Sequence, residues 1–266
     1  MNVLIAVPVF NEQRYVADVL SRIRLLADDV LVVDDGSTDG TAQVLAATPG
    51  IAVIRHPVNR GYGRSLIDAF GYADARGYDW IITIDCDDQH EPDRIPAFIE
   101  RAGRDDVDII SGSRYMCDLP GNTAAPDDRR RINREITDLL NQTLGLALTD
   151  AFCGFKAYRV AALARMSLSV PGYAFPLQFW VQAARRKLRI CELPVRLIYN
   201  DPTRHFGGVL DDPDARMQHY LNVFHIEMVR MKSATCRFVP CGSATIMDDG
   251  SGEHKNARTH PTLLKQ

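Results

Sequence analysis

Apolar and polar positions change period several times along the first 115 residues. Short runs rich in Val, Ile and Leu, at 3–9, 30–33, 51–54, 80–84 and 107–111, have the near-continuous apolar character of buried strands. Between the first two runs, Val16, Val19, Leu20 and Ile23 fall at i, i+3, i+4 and i+7, which marks one apolar helix face. Strands and helices alternating in this way predict βαβ units around a mostly parallel sheet, an α/β fold. Asn11 is placed to cap the first helix with Glu12 in its first turn. Ser37 or Thr38 is placed to cap the next, with Asp39 near its positive end.

After Arg114 the pattern loosens. Residues 115–126 carry Pro120, Gly121 and Pro126 without periodicity and predict a loop. Ile132, Ile136, Leu139, Leu140 and Thr143 then give a helix its apolar side, while Arg129, Arg130, Arg131 and Arg134 crowd its first turns, where cations oppose the helix dipole and call for a negative partner. A further helix is expected at 175–186, a strand at 189–199, a Gly-containing loop at 200–208 and a last helix at 212–231. One domain is expected over 1–231, with halves of about 1–115 and 116–231. Residues 232–266 mix Gly, Ser, Thr, Asp, Lys and His with almost no apolar period and are expected to be a disordered tail without chemistry.

Composition narrows the classes. In 266 residues, 46% hydrophobic content, 24% charged content and a net charge of −3 describe an ordinary globular chain, with no global basic field for nucleic acid, so any anion site must be local. The six cysteines show no C-x-x-C spacing and the chain opens directly on Asn2-Val3-Leu4-Ile5, which predicts a reducing, cytoplasmic setting without a leader. No run approaches the roughly 18 apolar residues that span a bilayer, so membrane contact is expected to be peripheral.

Candidate chemistry concentrates in Ile81-Ile82-Thr83-Ile84-Asp85-Cys86-Asp87-Asp88-Gln89-His90. An apolar run that stops in three carboxylates puts acids at the carboxyl end of a strand, where open α/β sheets hold their ligands. Asp85 and Asp87, two apart, can face one hard cation if the backbone turns after Asp85; a solvated acidic turn is the plain alternative. Four other segments add to this one: Val7-Pro8-Val9-Phe10-Asn11-Glu12, Asp34-Asp35-Gly36-Ser37-Thr38-Asp39-Gly40-Thr41, Asn59-Arg60-Gly61-Tyr62-Gly63 and Gly112-Ser113-Arg114-Tyr115. In this order the five resemble the inverting glycosyltransferases of family 2, and within that family the dolichol- or polyprenol-phosphate mannosyltransferase group. The resemblance runs over about residues 3 to 231, with Asp150-Ala151-Phe152-Cys153-Gly154-Phe155-Lys156-Ala157 as a further match.

The resemblance implies a single GT-A domain, Rossmann-like with a mostly parallel central sheet. It also implies a nucleoside diphosphate sugar donor (GDP-mannose or a UDP-sugar) and a divalent cation, Mg2+ or Mn2+. Such a transfer requires holding a diphosphate, neutralising its developing charge and aligning an acceptor oxygen behind the anomeric carbon. Asp87 is the first choice of metal ligand; Asp85 meets the metal through water or meets the sugar ring, Gln89 offers a neutral oxygen, and Asp88 points to solvent. On the donor, the resemblance implies Asp35 for the base, while Pro8, Phe10 and Glu12 occupy the first strand-to-helix turn near base and ribose. Phe10 stands where relatives commonly carry Tyr. Asn59 to Gly63 allows close backbone approach at a helix start, with Arg64 toward phosphate.

Arg114, Arg131 and Arg204 are the cations expected to meet the diphosphate and an acceptor phosphate, since the guanidinium fork suits bidentate contact; each has a surface charge as its plain alternative, and for Arg131, within a run of three arginines, solvation is the stronger single-residue account. A polyprenyl or dolichyl phosphate acceptor at the cytoplasmic face of a membrane follows from the resemblance, although the lysine that relatives carry after the glycine of the 200–208 loop is absent. A phosphate acceptor needs no general base; a saccharide hydroxyl would, and Asp150 or His90 are the candidates. A catalytically silent nucleotide-sugar-binding protein and a nucleotidyltransferase are the remaining alternatives.

Overall fold

The computed structural model describes residues 1–200 and 205–233. Arg204 and residues 234–266 of the expected tail lie outside the described residues. Seven strands form one sheet: β1 (Val3–Val9), β2 (Val30–Asp34), β3 (Ala52–Arg55), β4 (Trp80–Thr83), β5 (Ile109–Ser113), β6 (Lys156–Arg159) and β7 (Ile190–Pro194). Their order is β3-β2-β1-β4-β6-β5-β7, parallel throughout except for β6, which runs antiparallel to both β4 and β5. The expected α/β fold with a mostly parallel sheet is therefore the one observed.

Alternate residues of the strands feed two cores, as the two-residue strand period requires. On one face Leu4, Ala6, Leu31 and Ile81 pack with α3 (Tyr62–Ala75), α5 (Asp127–Leu144), α6 (Val160–Leu163), α7 (Phe175–Arg185) and α8 (Pro213–Ser233). On the other, Ile5, Val7, Val32 and Ile82 pack with α1 (Val16–Arg24), α2 (Thr41–Ala47) and α4 (Ile95–Gly103). Val16, Val19, Leu20 and Ile23 all turn inward, as their spacing predicted.

Several local expectations change. Asn11 does not cap α1, which begins at Val16 after Tyr15. It has φ 58°, and its Oδ1 accepts from Thr38 N at 2.8 Å while its own N donates to Ser37 Oγ at 3.0 Å. Neither Ser37 nor Thr38 caps α2: Gly40 precedes that helix, and Asp39 Oδ1 accepts from Thr41 N at 2.9 Å while Oδ2 accepts from Gln13 N at 3.1 Å. These polar residues staple the loops leaving β1 and β2 to each other, so the backbone donors are satisfied across the two loops. The strand expected at 189–199 ends at Pro194; beyond it, Leu197 O accepts from Thr123 N at 2.7 Å and Leu197 N donates to Asn122 Oδ1 at 3.0 Å, which pins the 115–126 loop. The polar strand β6 and the short α6 carried no period that announced them.

Candidate active site

A cavity of about 610 Å3 opens at the carboxyl ends of β1, β4 and β5, the end of an open α/β sheet where ligands bind. Its wall begins with Phe10, Asn11 and Glu12 from the β1–α1 loop and Tyr62 from the first turn of α3. Asp85, Asp87 and Gln89 follow from the exit of β4, and Arg114 and Tyr115 from the exit of β5. The wall also includes Arg129 and Asn133 of α5, Arg216 and Tyr220 of α8, and Phe152, Tyr173, Tyr199 and Phe206.

Asp85 is the most constrained acid. Its Oδ1 accepts from the Tyr62 hydroxyl at 3.0 Å, and its Oδ2 stands 3.5 Å from His90 Nε2. Burial pushes its pKa up, but His90, the Tyr62 hydrogen bond and the charge of Lys156 outweigh that and hold it below the ordinary value. Gly154 passes so close that a Cβ there would strike the Asp85 carboxylate, so glycine at this point leaves that carboxylate room to keep its place. Asp87 lies two residues on, its Oδ1 accepting from Gln89 N at 3.1 Å. Between them Asp88 takes the left-handed φ of 55° and turns out of the cavity to Arg22 Nη1 at 3.2 Å, a surface pair rather than a ligand.

The donor set fits a divalent cation in a limited sense. No group of three His, Cys, Asp or Glu side chains gathers as a metal cage among the described residues. Two carboxylates and the Gln89 carboxamide line one cavity, a hard-oxygen set of the kind that holds Mg2+ or Mn2+ only when substrate phosphates complete the shell.

At the cationic end, Arg114 Nε and Nη2 donate to Asp150 Oδ2 at 2.6 Å and Oδ1 at 3.0 Å. Asp150 is fully buried and also accepts from Asn133 Nδ2 at 2.8 Å and Phe152 N at 3.1 Å. Burial raises its pKa, yet the Arg114 charge and these hydrogen bonds dominate and depress it to about 2. Asp150 is thus an anchor, ionised near neutral pH and already accepting from Arg114, Asn133 and Phe152, which corrects its candidacy as a general base. The Arg129 guanidinium lies over the rings of Tyr199, 5.2 Å from the centroid, and Phe206 at 4.6 Å. Arg216 is buried, donates to Leu210 O at 2.8 Å and pairs with Asp128, while the arginine run finds negative partners in Glu135 and Asp214, both against Arg131.

The structure brings Phe10, Glu12, Asp85, Asp87, Gln89 and Arg114 together and leaves Pro8, Asp35, Asn59, Gly63 and Arg131 off the cavity wall. Pro8 lies within β1, in register with Val33, and shapes no turn. Asp35 is buried, and its oxygens accept from Arg60 N and Gly61 N, both at 2.8 Å, so it anchors the 59–61 loop. Asn59 is exposed. Gly63 is buried where a Cβ would meet Val170 O, and Arg64 N donates to Pro171 O at 2.9 Å; the start of α3 packs on protein carbonyls, and the Arg64 side chain goes to Asp68. Arg131 pairs with Glu135 at 3.4 Å and Asp214 at 3.8 Å on the surface. Arg129 takes the cavity position because it continues the face of Ile132, Asn133 and Ile136 at i, i+3, i+4 and i+7, a signal already present in the sequence. Tyr62 and Gly154 lie in segments singled out by the sequence but without a role there, and Arg216 was missed; only long-range contacts reveal what the three do.

Comparison with known proteins agrees with this geometry. The Glycosyl transferase family 2 model matches residues 4–166. The undecaprenyl-phosphate mannosyltransferase of Micrococcus luteus is 32% identical over 225 residues, covering 80% of this chain and 90% of that protein. The undecaprenyl-phosphate 4-deoxy-4-formamido-L-arabinose transferase of Edwardsiella ictaluri is 33% identical over 175 residues, 62% of this chain, which spans about half (51%) of that longer protein. Among solved structures, glucosyl-3-phosphoglycerate synthase from Mycobacterium tuberculosis, in complex with Mn2+, UDP and glucosyl-3-phosphoglycerate, superposes with a TM-score of 0.63 at 20% identity over 85% of this chain and 79% of that one, a likeness of fold. With the family model covering most of the sheet and the site, the chain belongs to glycosyltransferase family 2 and is a glycosyltransferase.

Proposed function

We propose that this glycosyltransferase moves a sugar from a nucleoside diphosphate sugar to a polyprenyl phosphate, by direct displacement with inversion, while bound peripherally at the cytoplasmic face of a membrane. The observation that carries this reading is the make-up of the cavity wall, which joins carboxylates to guanidiniums set among aromatic rings. The carboxylates suit a cation-bound diphosphate. The guanidiniums and rings suit an acceptor that is an anion on an apolar stem: Arg114, whose Nε and Nη2 hold Asp150, and Arg129 meet the phosphate, and Phe152, Tyr173, Phe206 and Tyr220 meet the hydrocarbon. Two relatives of this chain are named for the same undecaprenyl phosphate and for different sugars, which favours the acceptor class and leaves the sugar open.

Asp85, Asp87 and Gln89 would hold Mg2+ or Mn2+. Bound there, the cation neutralises charge on the departing diphosphate. Glu12 and the ring of Phe10 border the nucleoside, and the Tyr62 hydroxyl fixes the orientation of Asp85. An ionised phosphate oxygen attacks the anomeric carbon as the bond to the diphosphate breaks, so no base is required. This agrees with Asp150 being spent on Arg114. No described helix is long and apolar enough to cross a membrane, which is compatible with peripheral attachment. The test is incubation of the protein with GDP-mannose or UDP-sugars, Mg2+ or Mn2+ and a short-chain polyprenyl phosphate. Release of nucleoside diphosphate together with a glycosylated lipid phosphate supports the reading, whereas transfer only to free hydroxyls overturns the acceptor and release of pyrophosphate overturns the reaction class.

A further inference from the structure

A buried ion network lies behind the cavity. His56, just past β3 and 4% exposed, places Nδ1 2.6 Å from Asp35 Oδ1 and Nε2 2.9 Å from Asp68 Oδ2. Both ring nitrogens of His56 are thus held within hydrogen-bond distance of a carboxylate, which fixes the ring between β3 and α3. Asp68, on α3, is also bound by the Arg64 guanidinium, and Arg60 approaches it at 3.8 Å. Arg55, the other neighbouring cation, turns away to Asp34 at 3.2 Å.

The Asp35 carboxylate that His56 holds is the one that accepts from Arg60 N and Gly61 N. Those two amides end the loop whose next residue, Tyr62, donates to Asp85 in the cavity. Gly61, at φ 100°, packs against Pro171 O where a Cβ would collide, so the loop has little freedom to reach Tyr62 by another path. Resting on the donor site proposed above, we infer that His56 is a positioning residue: held between two carboxylates, it fixes Asp35, Asp35 fixes the 59–61 loop, and the loop sets Tyr62 against the Asp85 end of the donor pocket. His56 touches neither donor nor acceptor. Its loss therefore acts on donor binding and leaves acceptor binding alone.

The experiment compares wild type, His56→Gln and Asp68→Asn in transfer assays with the donor and the acceptor varied separately, together with thermal unfolding of each. Glutamine keeps much of the volume but can bridge only one of the two carboxylates. His56→Gln is expected to raise the donor KM about tenfold, the scale of a lost hydrogen bond to a charged group, with acceptor KM unchanged; Asp68→Asn moves donor KM in the same direction by less. Should His56→Gln fail to fold, Asp68→Asn decides instead. Donor KM unchanged, or donor and acceptor KM raised alike, overturns the inference. A wild-type protein that binds no nucleoside diphosphate sugar would instead sink the donor reading on which it rests.

Discussion

At the acidic end of the cavity the working groups follow one another along the chain: Asp85, Asp87 and Gln89 leave β4 within five residues, and the turn at Asp88 sends alternate side chains to the same side. At the cationic end, Arg114 leaves β5, Arg129 sits in the first turn of α5 and Arg216 in the first turn of α8, each held by a partner from another part of the chain. The acids leave one strand in sequence, with Asp85 also held from elsewhere, by Tyr62 of α3; the guanidiniums form a tertiary assembly whose charges are partly buried and must be neutralised to fold. Changes at the acidic end should therefore cost activity with little stability, and changes at the cationic end should cost both.

The sharpest separation is expected from Asp87→Ala. Asp87 is half-exposed on the turn that leaves β4, where its Oδ1 accepts from Gln89 N two residues on, and Asp87→Ala is expected to keep the fold. Its loss from the proposed cation site should lower kcat at least about 100-fold, the scale of removing a group that stabilises developing charge. Turnover of the nucleoside diphosphate sugar and thermal unfolding, measured together, check both halves; near-normal turnover would break the assignment of the acidic end.

Asp150→Asn probes the opposite case. The substitution leaves the Arg114 guanidinium without its counter-charge in a mostly buried place, which should cost about 3 kcal/mol of stability. The sign with pH follows from the depressed pKa. Asp150 has a folded value of about 2 against an ordinary 3.8, so its contribution is complete above 3.8 and is lost as pH falls toward 2. Urea unfolding of wild type and variant across that window should show their stability gap closing as pH falls. A gap that stays constant would mean that the Asp150 charge is not what holds Arg114.

The same contrast explains how much the sequence could reveal. β1 was legible to the residue, because a central strand buried on both faces is an uninterrupted apolar run. The acids beyond β4 were legible because the run ends in them. β6 was not: Lys156-Ala157-Tyr158-Arg159 has no strand-like alternation, and its pairing is imposed by β4 and β5, more than 40 residues away in sequence. Lys156 is buried there, its ammonium donating to Cys153 O and standing 5.7 Å from the Trp180 ring centroid, contacts that no local pattern encodes. Asn11 failed as a helix cap for a related reason, since a capping side chain and one that bonds across two loops look alike in sequence.

The smallest expected effect separates two arginines two residues apart. Arg129→Ala removes a guanidinium that lines the cavity over Tyr199 and Phe206, and should raise the apparent KM for a short-chain polyprenyl phosphate about tenfold, as expected for one charge-assisted contact, while donor KM changes little. Arg131→Ala removes a half-exposed partner of Glu135 and Asp214, and should change stability by no more than about 0.5 kcal/mol and leave both KM values in place. The helix period makes the two unequal: 129 shares the face of Ile132, Asn133 and Ile136, and 131 is turned roughly 200° away from it. Kinetics with the acceptor varied at saturating donor measure the difference. An Arg131→Ala variant that loses acceptor affinity while Arg129→Ala keeps it would reverse the assignment of the cationic end and return the acceptor phosphate to the surface face of α5.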